Sequence, residues 1–183
     1  MKILAFDTSS LAASCAWMEE DTLIGESFVN ASLTHSQTIM PMAETMLAGI
    51  GHTVADADVL AVSCGPGSFT GLRIGISAVK GISMATGIPC AAVSTLWALA
   101  INAASFRGHI IPAMDARRSQ VYTALFQSDG ARVTRLSEDQ ALSLEQLTQL
   151  AAPLKHVMLV GDGALLCQRY LKEQGKAVLA APA

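Results

Sequence analysis

The sequence predicts an α/β protein made of two units, each a mixed sheet with helices packed on it. Three observations carry this reading. Short apolar runs of strand length alternate with segments of helical period along the whole chain. An order of three strands followed by a helix occurs twice, although the residues themselves barely repeat. Finally, 51% of the 183 residues are hydrophobic, enough for a substantial core.

Each element follows from its residues. KILAFDT reads as a strand, and ASCAWME and TLIGESFVN as two more, joined at the acidic turn Glu20-Asp21. In HSQTIMPMAETMLAGIG, Ile39, Ala43, Met46 and Ile50 fall at helical spacing, and Gly51 suits a C-terminal cap. Pro41 predicts either a kink or the helix's true first turn. DVLAVSCG is a buried strand, and FTGLRIGISAVKGISMATG a helix stopped by Gly87 and Pro89. CAAVS is the next strand, and STLWALAINAASF a helix for which Ser94 is a candidate N-cap. The second unit opens with the strands HIIPAMDA, QVYTALFQ and ARVTRLSE. The helix LSLEQLTQLAAPL, the strand HVMLVGDG, the helix GALLCQRYLKEQG and a last strand in KAVLAAPA complete it. A boundary at Phe106-Arg107-Gly108 divides an N-terminal lobe, 1–106, from a second lobe, 107–183.

Bulk properties exclude some functions. Charged residues are only 15%, a lean content that leaves apolar surface for a partner to cover. The net charge of −3 argues against this chain gripping a nucleic acid by itself, because duplex binding needs a basic footprint. No apolar run reaches the ~18 residues that span a bilayer. MKILAFDTSS enters a strand pattern at once and leaves no room for a signal peptide, so a cytoplasmic location is expected. Cys15, Cys64, Cys90 and Cys167 are widely spaced with no CxxC pair, which favours free thiols over zinc ligands or disulfides.

The stretch SCGPGSFTGLRIGISAVKG, residues 63–81, raises the question of a phosphate site. A Walker A loop needs a Lys after its last glycine, and Leu72 follows Gly71. Gly65, Gly67 and Gly71 give GxGxxxG, one residue too long for the dinucleotide fingerprint, and Pro66 removes an amide donor. A strand-to-helix turn capped by Ser68 or Thr70 remains, with free amides able to hold an anion. The helix that follows carries a bulky stripe, Leu72, Ile76 and Val79, beside a small one, Gly71, Gly75, Ala78, Ile82 and Ala85. The bulky stripe is expected to face the chain's own sheet. The small one permits close approach of another backbone, within the chain or across an interface.

FDTSS, THSQTIMP, GPGSFTGLRIGISAVKGISMATGIP, VSTL and MDARRSQVY together resemble the TsaB (YeaZ-like) family of tRNA threonylcarbamoyladenosine biosynthesis proteins. The match runs in order from residue 1 to about residue 127; beyond residue 130 only the strand–helix pattern agrees. The resemblance implies the actin-like, sugar-kinase and Hsp70 ATPase fold with two ribonuclease-H-like lobes. Family members continue further, so the second lobe is expected to be shortened at its C-terminus. The resemblance also implies a non-catalytic subunit that binds the related catalytic subunit TsaD. That complex, with the ATPase TsaE, forms threonylcarbamoyladenosine next to the anticodon. On this reading the chain is a homodimer when alone and meets tRNA only through the complex. It pairs through its first two helices, which nominates Ile39, Met42, Ala43, Met46, Gly71, Gly75, Ala78 and Ile82 as interface residues.

TsaD carries a metal-binding HxxxH on the helix after the strand matching CAAVS. The corresponding positions here are Thr95 and Leu99, which cannot replace two imidazoles. His35, His52, His109 and His156 are scattered singly, so no metal site and no catalytic residue is expected. In the implied fold, an acidic residue ending the first strand can hold magnesium beside a nucleotide phosphate. Asp7 would fill that place, with Thr8, Ser9 and Ser10 as hydroxyl donors, but no glycine follows to bring amides close. A capped turn is the competing role. ATP or ADP with magnesium is expected only weakly, or at an interface shared with TsaD. Asp115, Arg117 and Arg118 either pair with one another or face a partner. The rivals are a small-molecule kinase or metallopeptidase-like enzyme of the same fold, and a homodimer with another binding role.

Overall fold

The computed structural model describes residues 1–31 and 33–181. The chain forms two compact units, Met1–Ser94 and Thr95–Ala183.

The first unit contains β1 (Lys2–Asp7), β2 (Ala13–Glu19), β3 (Thr22–Val29), α1 (His35–Gly49), β4 (Val59–Gly65), α2 (Phe69–Thr86) and β5 (Cys90–Ser94). Its sheet has the order β3-β2-β1-β4-β5. The β1–β2 and β2–β3 pairs are antiparallel, and β1–β4 and β4–β5 are parallel. Alternation puts Leu4, Phe6, Cys15, Trp17, Leu60 and Val62 into one core. Helix α1 adds Ile39, Ala43, Met46 and Leu47 at i, i+4, i+7 and i+8. Pro41 lies inside α1, past its first turn. At the other end Gly51 has φ 76°; its N–H donates to Ala48 O and that of His52 to Leu47 O, a Schellman closure. Helix α2 is capped by the Ser68 hydroxyl, which accepts from Gly71 N–H, and stops at Gly87, φ 77°.

The second unit contains α3 (Thr95–Asn102), β6 (Arg107–Arg117), β7 (Gln120–Thr123), β8 (Phe126–Asp129), β9 (Val133–Arg135) and β10 (Gln140–Ser143). It continues with α4 (Leu144–Ala151), β11 (Val157–Val160), α5 (Ala164–Glu173) and β12 (Leu179–Ala181). The order β10-β7-β6-β11-β12 repeats that of the first unit, with the long β6 in the place of β1.

Two details differ from the sequence reading. QVYTALFQ is not one strand: β7 and β8 both run antiparallel to β6, in the same register, with a break at Ala124-Leu125. There Leu125 N–H donates to the Ser137 hydroxyl at 2.8 Å and Leu125 O accepts from Leu136 N–H at 2.7 Å. Within ARVTRLSE only β9 forms, beside β8, and a further strand not expected from the sequence, β10, follows it and pairs with β7. The second difference is the division between units, at Ser94/Thr95 rather than near Phe106. Helix α3 buries Leu96 and Ala100 with Ile110, Met114 and Phe126 of the second unit, which accounts for its membership. On the opposite face, α4 and α5 pack Leu147, Ala151, Cys167 and Leu171 against Ile111, Val121 and Leu159. Among the described residues no helix is long and apolar enough to cross a membrane.

Candidate functional site

Strand β1 ends at Asp7 beside Ser63 of the parallel strand β4. The Asp7 carboxylate accepts from Ser9 N–H and from the Ser9 hydroxyl through Oδ1, both at 2.7 Å. Its Oδ2 accepts from the Ser63 hydroxyl, also at 2.7 Å. Three short hydrogen bonds therefore fix this carboxylate on its own chain. Thr8 is fully buried, and its hydroxyl donates to Gly71 O at 2.8 Å. Ser68 N–H donates to Ser9 O at 2.7 Å, and His35 Nε2 to Ser10 O at 2.9 Å. The five-residue turn between β1 and β2 is thus held by the first turns of both α2 and α1.

The glycines of the 63–81 stretch answer to this turn. A Cβ on Gly67 would collide with Ser9 O, one on Gly71 with Thr8 O, and one on Gly75 with Thr8 Oγ1. Only bare backbone at these three positions lets α2 lie against Thr8 and Ser9. The loop spends several of its polar groups within the chain. Its amide at Ser68 is spent on Ser9 O, that at Gly71 on its own cap, and the Thr8 hydroxyl is consumed and buried.

The structure places part of the expected interface inside its own unit. Gly71 and Gly75 are buried inside their own unit, and Val79 is buried beside them. Ile76 and Ile82 are half-buried against the same core, Leu72 half-buried near Gly65, and Ala78 half-buried. Apart from Ala85, which is exposed, the bulky and small stripes are two flanks of one buried arc centred on Gly75. Helix α1 behaves alike: Ile39, Ala43 and Met46 are core residues and Met42 is half-buried against them. What α2 leaves exposed is a different row, Phe69, Arg73, Ser77, Lys80 and Met84. Phe69 is 72% and Met84 88% exposed, and the Arg73 guanidinium lies 4.5 Å from the centre of the Phe69 ring. Sequence reasoning passed over Phe69 and Met84. The signal was two large apolar residues on the side of the helix that carries Arg73 and Lys80.

The histidines each have local duties. His35 holds Ser10; His52 pairs with Glu19 at 2.9 Å and stacks on Trp17; His109 Nδ1 donates to Lys155 O at 2.9 Å. His156 O accepts from His109 N–H. Among the described residues no group of three or more His, Cys, Asp and Glu side chains is arranged to hold a metal ion. Thr95 is buried at the start of α3, and Leu99 lines an apolar cavity of about 430 Å³ with Phe106, Met158 and Val160.

The second unit has its own aspartate near the end of β6. Asp115 N–H donates to Asp162 Oδ1 at 3.1 Å, and Asp115 Oδ1 accepts from Arg117 N–H at 2.7 Å. Partial desolvation, reinforced by the Asp115 charge, raises the Asp162 carboxyl above its ordinary value. Arg117, Arg118 and Ser119 all adopt positive φ in the β6–β7 hairpin. The two arginines are exposed and form no salt bridge among the described residues.

A repeated five-strand order with helices on the sheets gives each of the two units the architecture of the actin-like, sugar-kinase and Hsp70 fold. A ROK hexokinase from Thermus thermophilus matches in fold at a TM-score of 0.52 with 14% identity over all of this chain and 92% of the hexokinase. YeaZ from Pseudomonas aeruginosa matches at a TM-score of 0.83 with 28% identity, over all of this chain and 83% of that one. The family profile described as "TsaD: tRNA N6-adenosine threonylcarbamoyltransferase" matches residues 29–173. The tRNA threonylcarbamoyladenosine biosynthesis protein TsaB of Bacillus subtilis is 35% identical over 94% of this chain and 76% of its own length. The TsaB of Escherichia coli K12 is 36% identical over 78% of this chain and 62% of its own length. The chain belongs to the TsaB (YeaZ) family.

Proposed function

We propose that this chain acts in tRNA threonylcarbamoyladenosine biosynthesis as a non-catalytic partner subunit. The names of its relatives support the pathway. The observation that carries the non-catalytic role is the closure of the β1 turn. Asp7, Thr8 and Ser9, the groups a phosphate or its magnesium would need, are spent on binding α2 and β4. At the matching positions of the HxxxH pair stand Thr95 and Leu99.

In this reading the chain binds TsaD, works beside TsaE, and self-associates when TsaD is absent. It touches tRNA only within the complex, as its net charge of −3 suggests. Nucleotide belongs to a surface shared with TsaD and not to the β1 turn. The exposed row of α2 is the partner surface, since Phe69 and Met84 are large apolar groups facing solvent. Size-exclusion chromatography of the purified chain mixed with TsaD tests the pairing: a co-eluting complex supports it, and separate elution at micromolar concentration rejects it.

A further inference from the structure

Helix α2 meets the β1 turn through backbone. At Gly71 and Gly75 there are no side chains to interlock, so the helix start cannot be aligned there by packing. Two hydrogen bonds do the aligning: Thr8 Oγ1 to Gly71 O, and Ser68 N to Ser9 O. Both depend on where the turn holds Thr8 and Ser9. That is set one residue earlier, because Asp7 grips Ser9 through two bonds and is itself tied to Ser63 of β4. A continuous path runs from the sheet, at Ser63, through Asp7 and Ser9 to Ser68, with Thr8–Gly71 as a parallel strut.

We infer that Asp7 and Thr8 are positioning residues: they latch the start of α2 to the sheet and so set the presentation of Phe69 and Arg73. The latch uses Asp7 as a hydrogen-bonding shape and needs no negative charge. An asparagine at position 7 keeps an oxygen acceptor for both Ser9 donors, and its amide donates to the Ser63 hydroxyl, which can accept. A role in holding magnesium or balancing a phosphate requires the carboxylate and makes the opposite demand. The importance of the latch for partner binding rests on the proposed function; its effect on α2 does not.

The experiment compares the full chain with its Asp7→Asn, Asp7→Ala and Thr8→Val variants by hydrogen exchange, each checked for native circular dichroism. Asp7→Ala and Thr8→Val should speed exchange of the first turns of α2 by about tenfold or more. Asp7→Asn should remain within about threefold of the parent, and β11 in the second unit should be unchanged in all. Capture by TsaD should then fall for Asp7→Ala and be restored in Asp7→Asn. If Asp7→Asn loosens α2 as much as Asp7→Ala, charge matters and the latch is wrong. Unchanged α2 exchange in both Asp7→Ala and Thr8→Val also overturns it. Should Asp7→Ala fail to fold, Thr8→Val and Ser63→Ala, each removing one strut, decide by the same exchange criterion. A parent chain that shows the expected exchange pattern but never binds TsaD overturns the proposed function and leaves the latch standing.

Discussion

At Gly75 one methyl group separates a fitting helix from a clashing one. Gly75→Ala puts a Cβ onto the buried Thr8 hydroxyl, so either the helix shifts or Thr8 gives up its bond to Gly71 O. We expect a loss of about 1–3 kcal/mol, the usual cost of overpacking, despite the better helix propensity of alanine. Gly81, on the exposed side of the same helix, has nothing within contact range of an added Cβ. Gly81→Ala should therefore raise stability by about 0.5–1 kcal/mol. Urea denaturation of the two variants checks the pair, and equal shifts in one direction would contradict the packing described. The thiols offer a second residue-level test. Burial pushes Cys15 up to about 11 and Cys167 up to about 12, whereas Cys64 and Cys90 are exposed. A disulfide-exchange reagent should modify Cys64 and Cys90 in the native protein, and Cys15 and Cys167 only after denaturation.

At the level of elements, α2 carries two surfaces with different jobs. Its buried arc, centred on Gly75, joins it to the β1 turn and the sheet; its exposed row runs from Phe69 to Met84. Met84→Asp removes an apolar group that is 88% exposed, so circular dichroism and thermal stability should be unchanged. Binding to TsaD should weaken at least about tenfold, or about 1.4 kcal/mol, measured by calorimetric titration. Normal binding would move the partner surface away from this row. The strands and helices of the first unit were legible because each is bounded by its own punctuation: Gly51, Ser68, Gly87 and Pro89 all stand at the ends of elements. The direction of the glycine row was not legible. Glycines at i and i+4 look the same in sequence whether another molecule or the chain's own Thr8 lies against them. The split of QVYTALFQ was hidden for a similar reason. Its cause is a bond from Leu125 to Ser137, twelve residues away, which no local pattern encodes.

Across the whole molecule, the same strand order occurs twice, and each unit carries an aspartate at or near the end of its first strand held by hydrogen bonds: Asp7 by Ser9 and Ser63, Asp115 by Arg117 N–H. The repeat was readable from the spacing of strands and helices. The division between units was not, because α3 follows β5 without a break and only its packing on β6 assigns it to the second unit. The motifs that pointed to the family lie mostly in the first unit, where the β1 turn and α2 lock together. Their chemistry there is structural: carboxylate, hydroxyls and glycines that hold a helix start to a sheet. In the proposed function such a subunit contributes a surface, and TsaD carries out the reaction. The most direct test is threonylcarbamoyladenosine formation on tRNA in a reconstituted reaction containing TsaD and TsaE, run with this chain, without it, and with this chain alone. The account predicts product only when this chain and TsaD are both present, and none from this chain alone. Product formed by this chain without TsaD, or formed equally well when this chain is left out, would contradict it.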